Sequence, residues 1–89
     1  MFETYKFIYK DVNTHSKFQV FSRTQEFADK LIERINKLGT FTLRPAKRRF
    51  RTRMVTETPP YELEQEQLKT VEQWEESYKK YQNDHQNSN

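Results

Sequence analysis

The chain of 89 residues has no cysteine, a single glycine and no long apolar run. Without cysteine, it has neither a disulfide framework nor a thiolate that could bind a metal or act as a nucleophile. With Gly39 alone, it has no glycine-rich loop of the kind that wraps a phosphate group. No stretch approaches the ~20 apolar residues that a membrane-spanning helix needs. These absences exclude a disulfide-linked scaffold, a glycine-rich nucleotide site and a transmembrane helix.

Apolar residues are also scarce, at 33% of the chain, and charged residues are equally frequent. Seven Phe, five Tyr and one Trp supply much of the apolar content, and such rings bury a large area each. A chain of this length buries only about 60% of its unfolded surface, so its core will be thin. We therefore expect one small domain, residues 1–82, that would gain burial from a partner or from dimerisation.

The first six residues lack the basic segment followed by an apolar run that marks a signal peptide. The absence of cysteine also fits a reducing compartment. Together these features predict a soluble, cytoplasmic protein with no membrane partner.

The net charge of +3 conceals an uneven distribution along the chain. Residues 1–56 carry 13 Lys and Arg against 5 Asp and Glu, a balance of +8. Residues 57–89 carry 3 against 8, a balance of −5. This asymmetry predicts a basic body that attracts anions and an acidic C-terminal helix that could compete with them.

The first half of the chain contains two predicted strands and a helix. Aromatic residues at alternate positions indicate a strand over residues 2–10, and residues 17–22 form its hairpin partner after a polar turn. A helix follows, capped by Ser22 or Thr24, because apolar residues then recur every three or four positions. Gly39 lies where a left-handed residue commonly ends a helix.

The second half begins with two more predicted strands, residues 40–44 and 48–56, which would form a two-stranded ribbon around a turn at Pro45. The prolines of residues 58–60 then interrupt the pattern. The sequence thus predicts a basic body, residues 1–58, that consists of a sheet and a helix.

An amphipathic, acidic helix is predicted over residues 61–82, and a disordered polar tail over residues 83–89. The apolar positions of this helix are Leu68, Val71, Trp74, Tyr78 and Tyr81. The order ββαββα predicts a single α+β domain whose mainly antiparallel four-stranded sheet has one helix on a face. The second helix either packs beside the first and leaves the other sheet face open, or covers that face and partly neutralises it.

Basic residues alternate with other residues over residues 47–55, Lys-Arg-Arg-Phe-Arg-Thr-Arg-Met-Val. In a strand, Phe50, Thr52 and Met54 would face the core and the arginines between them would face away. The same alternation in the other strands predicts one basic sheet face, although a shift of one residue would reverse any strand. The candidate binding residues are Lys6, Lys10, Lys17, Arg44, Lys47, Arg48, Arg49, Arg51 and Arg53.

Cations spaced along strands can contact several phosphates of a nucleic-acid backbone and release counterions. The first functional prediction is therefore a non-enzymatic accessory protein that binds DNA or RNA by backbone contacts, with little sequence readout. The second is a small protein-binding modulator or inhibitor, similar in size to accessory proteins of mobile elements or viruses. It would dock on an acidic protein surface through the arginine strand, or in an apolar groove through the last helix. The aromatic residues of that interface, which could also join a homodimer, are Trp74, Tyr78 and Tyr81.

A third interpretation is structural, because charged residues on an edge strand also protect it against aggregation. No catalytic constellation competes with these interpretations. His15 and His85 are far apart in the chain and neither has metal-ligand spacing. Asp29 and Glu33 share one side of a helix, but basic residues surround them. We therefore predict no enzymatic activity, no metal site and no cofactor, while the identity of the partner stays open.

Overall fold

The computed structural model describes the backbone of residues 1–87 and the side chains of residues 1–81. The described chain has the element order ββαββα, which confirms the predicted α+β fold. Its elements are β1 (Phe2–Asp11), β2 (Lys17–Ser22), α1 (Gln25–Lys37), β3 (Leu43–Pro45), β4 (Arg51–Thr56) and α2 (Pro60–Asn87). Among the described residues, neither helix combines the length and the apolar character needed to cross a membrane.

β1 is the central strand and pairs antiparallel with the other three strands. β2 lies along one side of it, as predicted for a hairpin partner. β3 and β4 both lie along the other side, end to end, with Arg44 opposite Lys10 and Thr52 opposite Lys6. The sheet is therefore three strands wide, and the predicted ribbon of two strands paired around Pro45 is wrong.

A bulge separates β3 from β4 and lies opposite Ile8. The backbone N–H of Ile8 donates to the carbonyl of Phe50 at 2.8 Å, and its carbonyl accepts from the N–H of Ala46 at 3.0 Å. Because Ala46 and Phe50 both bond to this one residue, residues 47–49 loop out of the sheet. β4 begins at residue 51, later in the chain than the predicted strand.

The core lies between α1 and the sheet face that carries Phe7 and Tyr9. Thr24 caps α1, and its hydroxyl accepts a hydrogen bond from the N–H of Phe27 at 3.3 Å. Gly39 follows the helix with a left-handed φ of 84°. The predicted cap and helix end are both confirmed. The buried apolar residues are Phe7, Tyr9, Val20, Ala28, Leu31, Ile32, Ile35, Leu43 and Val71.

α2 packs beside α1 and along the outer edge of β2. The side-chain amide of Gln67 accepts from the N–H of Phe21 at 2.7 Å and donates to its carbonyl at 2.6 Å. Glu64 accepts a hydrogen bond from the hydroxyl of Ser22, and Val71 reaches the core. Of the two placements that the sequence leaves open, the structure has the one beside the first helix, so most of the opposite sheet face is uncovered.

α2 extends further than the sequence predicts. The predicted helix ends at residue 82, whereas the observed helix ends at Asn87. The predicted disordered tail begins at residue 83, but residues 83–87 belong to this helix. Residues 88 and 89 lie outside the described part of the chain. The division of the chain into domains stays a prediction.

Candidate functional site

Three cations stand in one row across the open face of the sheet. Lys10 on β1 lies directly opposite Lys17 on β2 and Arg44 on β3. Neighbouring strands are about 4.8 Å apart, so the row spans about 10 Å. Like charges directly opposite each other destabilise a sheet. The row therefore lowers the stability of the fold unless an anion lies over it.

The bulge adds a second group of cations beside this row. Lys47, Arg48 and Arg49 are all exposed, and Arg49 adopts a left-handed φ of 53° that is uncommon for a residue with a side chain. The bulge and the open sheet face enclose a cleft of about 1240 Å³, with Ile8 in its lining. We call this feature the cationic cleft, after its lining residues Lys6, Lys10, Lys17, Arg44, Lys47, Arg48 and Arg49.

Asp11 also lines the cleft, but its carboxylate is already engaged by the backbone around it. Its Oδ1 accepts from the N–H groups of Thr14 and Asn13, and its Oδ2 accepts from the N–H of Thr42, each at 2.8 Å. The hydrogen bonds from Thr14 and Thr42 lower the pKa of Asp11. Asp11 therefore fixes the rim of the cleft, because it ties the β1–β2 turn to the segment before β3.

The cations of the cleft have no ion-pair partner among the described side chains. The ion pairs of residues 1–81 are Arg23–Glu64, Lys30–Glu26, Arg34–Glu75 and Lys37–Glu33. All of them lie on α1, between α1 and α2, or between α2 and the loop before α1. The charge of the cleft is therefore available to an external anion.

Two carboxylates of α2, those of Glu64 and Glu75, dock that helix. Burial alone would raise the pKa of Glu64, but hydrogen bonds from Arg23 and Ser22 outweigh it, and the pKa is lowered. The hydrogen bonds from Arg34 likewise lower the pKa of Glu75. Glu64 thus attaches α2 to the end of β2 and the loop after it, and Glu75 attaches α2 to α1. Neither carboxylate pairs with a cation of the cleft.

Phe50 packs against the core, as the sequence predicts. Its ring centroid lies 5.5 Å from that of Phe7 and 5.2 Å from that of Tyr9. Arg51, the next residue, lies on the same side, because its guanidinium carbon is 5.3 Å from the ring centroid of Tyr5. Two consecutive residues on one face are the mark of a bulge, which interrupts the strict alternation of a strand.

The alternation of β4 is consequently the reverse of the predicted one. Arg51 and Arg53 lie on the α1 side of the sheet, beyond the part that the helices cover, and both are exposed. Thr52 lies opposite Lys6 and Met54 follows on that same open face. The prediction that alternate arginines of this segment share one basic face is wrong for Arg51 and Arg53, which do not line the cleft.

The predicted apolar stripe of α2 divides between the core and the surface. Leu68 and Val71 pack in or against the core. Trp74, Tyr78 and Tyr81 follow on the second half of the helix, with 43%, 37% and 62% of their surface exposed. A protein interface or a homodimer at these three residues stays a prediction.

Two ionisable residues that line the cleft, Asp11 and His15, are not among the predicted site residues. Asp11 could have been found, because Asp followed by Asn and Thr is typical of a turn in which the side chain bonds the backbone. His15 has a left-handed φ of 65° in the same turn, which no sequence pattern marks.

Among the described residues, no cluster of three His, Asp or Glu side chains could hold a metal ion. The prediction that the chain is not an enzyme stays a prediction. No protein-family model, no curated protein and no solved structure matches the chain.

Proposed function

We propose that this chain is a non-enzymatic nucleic-acid-binding accessory protein that holds the phosphate backbone of DNA or RNA in the cationic cleft. The row of Lys10, Lys17 and Arg44 carries the proposal, because these like charges face each other directly across three strands. An arrangement that lowers the stability of the free protein is favourable once a polyanion covers it.

The binding mode follows from the placement of the charges. A backbone lying across the strands contacts the row, while Lys47, Arg48 and Arg49 contact it from the side. Each phosphate contact releases counterions, so affinity comes mainly from electrostatics and depends little on base sequence. The cleft set replaces the arginine strand as the binding surface, because Arg51 and Arg53 lie on the other side of the sheet.

The test is fluorescence anisotropy of labelled single- and double-stranded oligonucleotides at two salt concentrations. The variant Lys10→Ala/Arg44→Ala removes two charges from the row, and the matched control Lys30→Ala/Lys37→Ala removes two charges from α1. We expect the row variant to bind every sequence more weakly. Its plot of log affinity against log salt should be shallower by roughly 0.7–0.9 for each phosphate that the variant no longer neutralises.

Two outcomes would contradict the proposal. If both double variants lose affinity equally, only the net charge matters and the cleft is not the site. If the native protein binds neither oligonucleotide even at low salt, the nucleic-acid function is wrong.

A further inference from the structure

Side-chain amides close the sheet edges at two points. On the edge of β2, Gln67 bonds both the N–H and the carbonyl of Phe21. On the edge of β3, Asn36 does the same for Leu43, accepting from its N–H at 2.8 Å and donating to its carbonyl at 3.1 Å. Each amide occupies the donor and the acceptor that a further strand would use.

No described residue covers the outer edge of β4 in this way. Ile8 directs its N–H and carbonyl toward the β3–β4 side of the sheet, and every second residue of β1 does likewise. The β4 residues that pair with them direct their own groups inward, so those of Arg51, Arg53 and Val55 point outward. These outward groups have no hydrogen-bond partner among the described residues.

The side chains on this edge indicate what could pair with it. Arg51, Arg53 and Val55 alternate along β4 and therefore lie on one face. A second copy of β4 paired antiparallel about Arg53 would put two arginines directly opposite each other, which is unfavourable. A segment with carboxylates at two alternate positions would instead place one opposite each arginine. Val55, 57% exposed, suits an apolar side chain at the adjoining alternate position.

We propose that the open edge of β4 binds an extended acidic segment of a partner protein by antiparallel strand addition. The main-chain groups of Arg51, Arg53 and Val55 provide the ladder of hydrogen bonds, and the two guanidinium groups select acidic side chains. This site is independent of the cationic cleft, because it uses a different strand edge and side chains on the other sheet face.

The test uses a labelled peptide, acetyl-Thr-Val-Thr-Glu-Thr-Glu-Thr-amide, whose Val and Glu residues would lie opposite Val55, Arg53 and Arg51. We expect saturable binding of one peptide per chain by fluorescence anisotropy. Amide hydrogen exchange at these three residues should slow at least tenfold when the peptide is bound. A peptide with Lys in place of both Glu residues should bind at least tenfold more weakly.

A third peptide separates strand addition from simple charge attraction. It keeps both Glu residues but carries N-methyl groups on the Val and the two Glu residues, so it cannot donate to the ladder. We expect at least a tenfold loss of affinity for this peptide. If it binds as tightly as the parent peptide, the contact is electrostatic only and strand addition is wrong.

Two protein variants complete the test, with thermal unfolding to check that each is folded. Val55→Pro removes one outward N–H but keeps both arginines, and an edge strand tolerates proline where its N–H faces solvent. It should weaken binding of the parent peptide at least threefold. Arg51→Glu/Arg53→Glu should reverse the preference, so that the Lys peptide binds more tightly than the Glu peptide.

Three results would overturn the proposal. One is unchanged hydrogen exchange at Arg51, Arg53 and Val55 with saturating peptide. The second is a charge-reversed variant that still prefers the Glu peptide. The third is a concentration-dependent dimer that protects the same three amides without any peptide, since the occupant of the edge would then be a second copy of the chain.

Discussion

The charges on the two sides of the sheet are arranged differently. On the helix side, carboxylates of α2 hold cations in place, Glu64 with Arg23 and Glu75 with Arg34. On the open side, the row of like charges across three strands has no acidic partner among the described residues. The acidic residues of α2 that form these pairs therefore serve to dock the helix, and they do not shield the cationic cleft.

This difference predicts that removing a charge changes the free energy of unfolding in opposite directions on the two sides of the sheet. A charged group with a built partner stabilises the fold, and its removal should lower the free energy of unfolding. A charge that faces only like charges destabilises the fold, and its removal should raise that free energy. Four predictions follow from this contrast, in order of decreasing effect.

Replacement of Glu64 should have the largest effect. Its side chain is 7% exposed and accepts hydrogen bonds from the hydroxyl of Ser22 and from the backbone and guanidinium of Arg23. Because water can replace Glu64 at the exposed guanidinium, the loss lies mainly in the hydrogen bonds from the Ser22 hydroxyl and the Arg23 backbone. We expect Glu64→Ala to lower the free energy of unfolding by about 2–3 kcal/mol, measured by urea unfolding at pH 7.

The matched control is Glu26→Ala, which breaks the exposed pair with Lys30 on α1. This change should lower the free energy of unfolding by less than about 0.5 kcal/mol. Equal losses at Glu64 and Glu26 would show that the contacts of Glu64 contribute no more than a surface pair.

Lowering the pH should also reduce the stabilisation by the carboxylates on the helix side of the sheet. The pKa of Glu64 and the pKa of Glu75 are both lowered from the usual value of 4.5, so each carboxylate binds fewer protons in the folded protein than in the unfolded chain. Their contribution is complete above the unfolded value and is lost as the pH falls through the folded pKa. We expect the free energy of unfolding to be level from about pH 7 to pH 5.5 and to fall below about pH 5.

Urea unfolding at a series of pH values measures this fall. Glu64→Gln keeps the size of the side chain but cannot ionise, so its stability should fall less between about pH 5 and pH 3. A variant curve parallel to the native one over this range would contradict the assignment of the fall to Glu64.

Thr4 tests whether an uncharged polar group without a partner also lowers the stability of the fold. It is 3% exposed, and its hydroxyl is buried without a hydrogen-bond partner among the described residues. Thr4→Val replaces this hydroxyl by a methyl group of the same shape. We expect the free energy of unfolding to rise by about 1 kcal/mol, measured by urea unfolding.

The control for Thr4 is Thr56→Val, because the hydroxyl of Thr56 donates to the carbonyl of Thr58 at 2.8 Å. The same chemical change should there lower the free energy of unfolding, by about 1 kcal/mol. Changes of the same sign at the two positions would contradict this expectation.

Removal of one charge from the row should have the smallest effect on stability, but with the opposite sign to that of Glu64. Lys10→Met keeps an unbranched side chain of similar length and removes the charge between Lys17 and Arg44. We expect the free energy of unfolding to rise by about 0.5 kcal/mol at low salt, and this gain to shrink as salt screens the repulsion. Thermal unfolding at two salt concentrations measures it.

Lys37→Met is the matched control, because Lys37 pairs with Glu33 on α1. Its stability should fall slightly at low salt instead of rising. If Lys10→Met also destabilises the protein at low salt, the row does not repel and the contrast between the two sides is wrong.

The sequence predicts the elements that depend on local pattern. Aromatic residues at alternate positions, Phe7 and Tyr9, correctly assign the two faces of β1, because a one-residue shift would bury the flanking Lys6 and Lys10. The periodicity of α1, its cap at Thr24 and its end at Gly39 are likewise local signals, and the structure confirms them.

The sequence does not predict the bulge, because no turn residue marks residues 47–49 and Pro45 instead suggests a hairpin between two strands. Arg49 takes a left-handed conformation that is usually adopted by glycine or asparagine. The alternating pattern around Phe50 fits a straight strand equally well. The bulge is specified by the two hydrogen bonds of Ile8, a residue about forty positions away in the chain. Three of the seven cations of the cleft, Lys47, Arg48 and Arg49, therefore depend on a distant contact that no local pattern contains.

The hydrophobic pattern of the sequence also does not predict where α2 packs. Its predicted apolar stripe includes Trp74 and Tyr81, which are exposed. Polar residues of its first half, Glu64 and Gln67, instead attach the helix to β2. Hydrophobic periodicity identifies an amphipathic helix, but it does not show which end of the helix docks.

The bulge also provides a site where a protease can cut the chain. Residues 47–49 are exposed and basic, and trypsin cleaves after such residues when they lie in accessible loops. A cut there leaves β3 on one fragment and β4 with α2 on the other, while each strand keeps its own register with β1. Val71 continues to hold the second fragment in the core. The two pieces should therefore stay together as one nicked molecule, and separately prepared fragments should reassemble into the same fold.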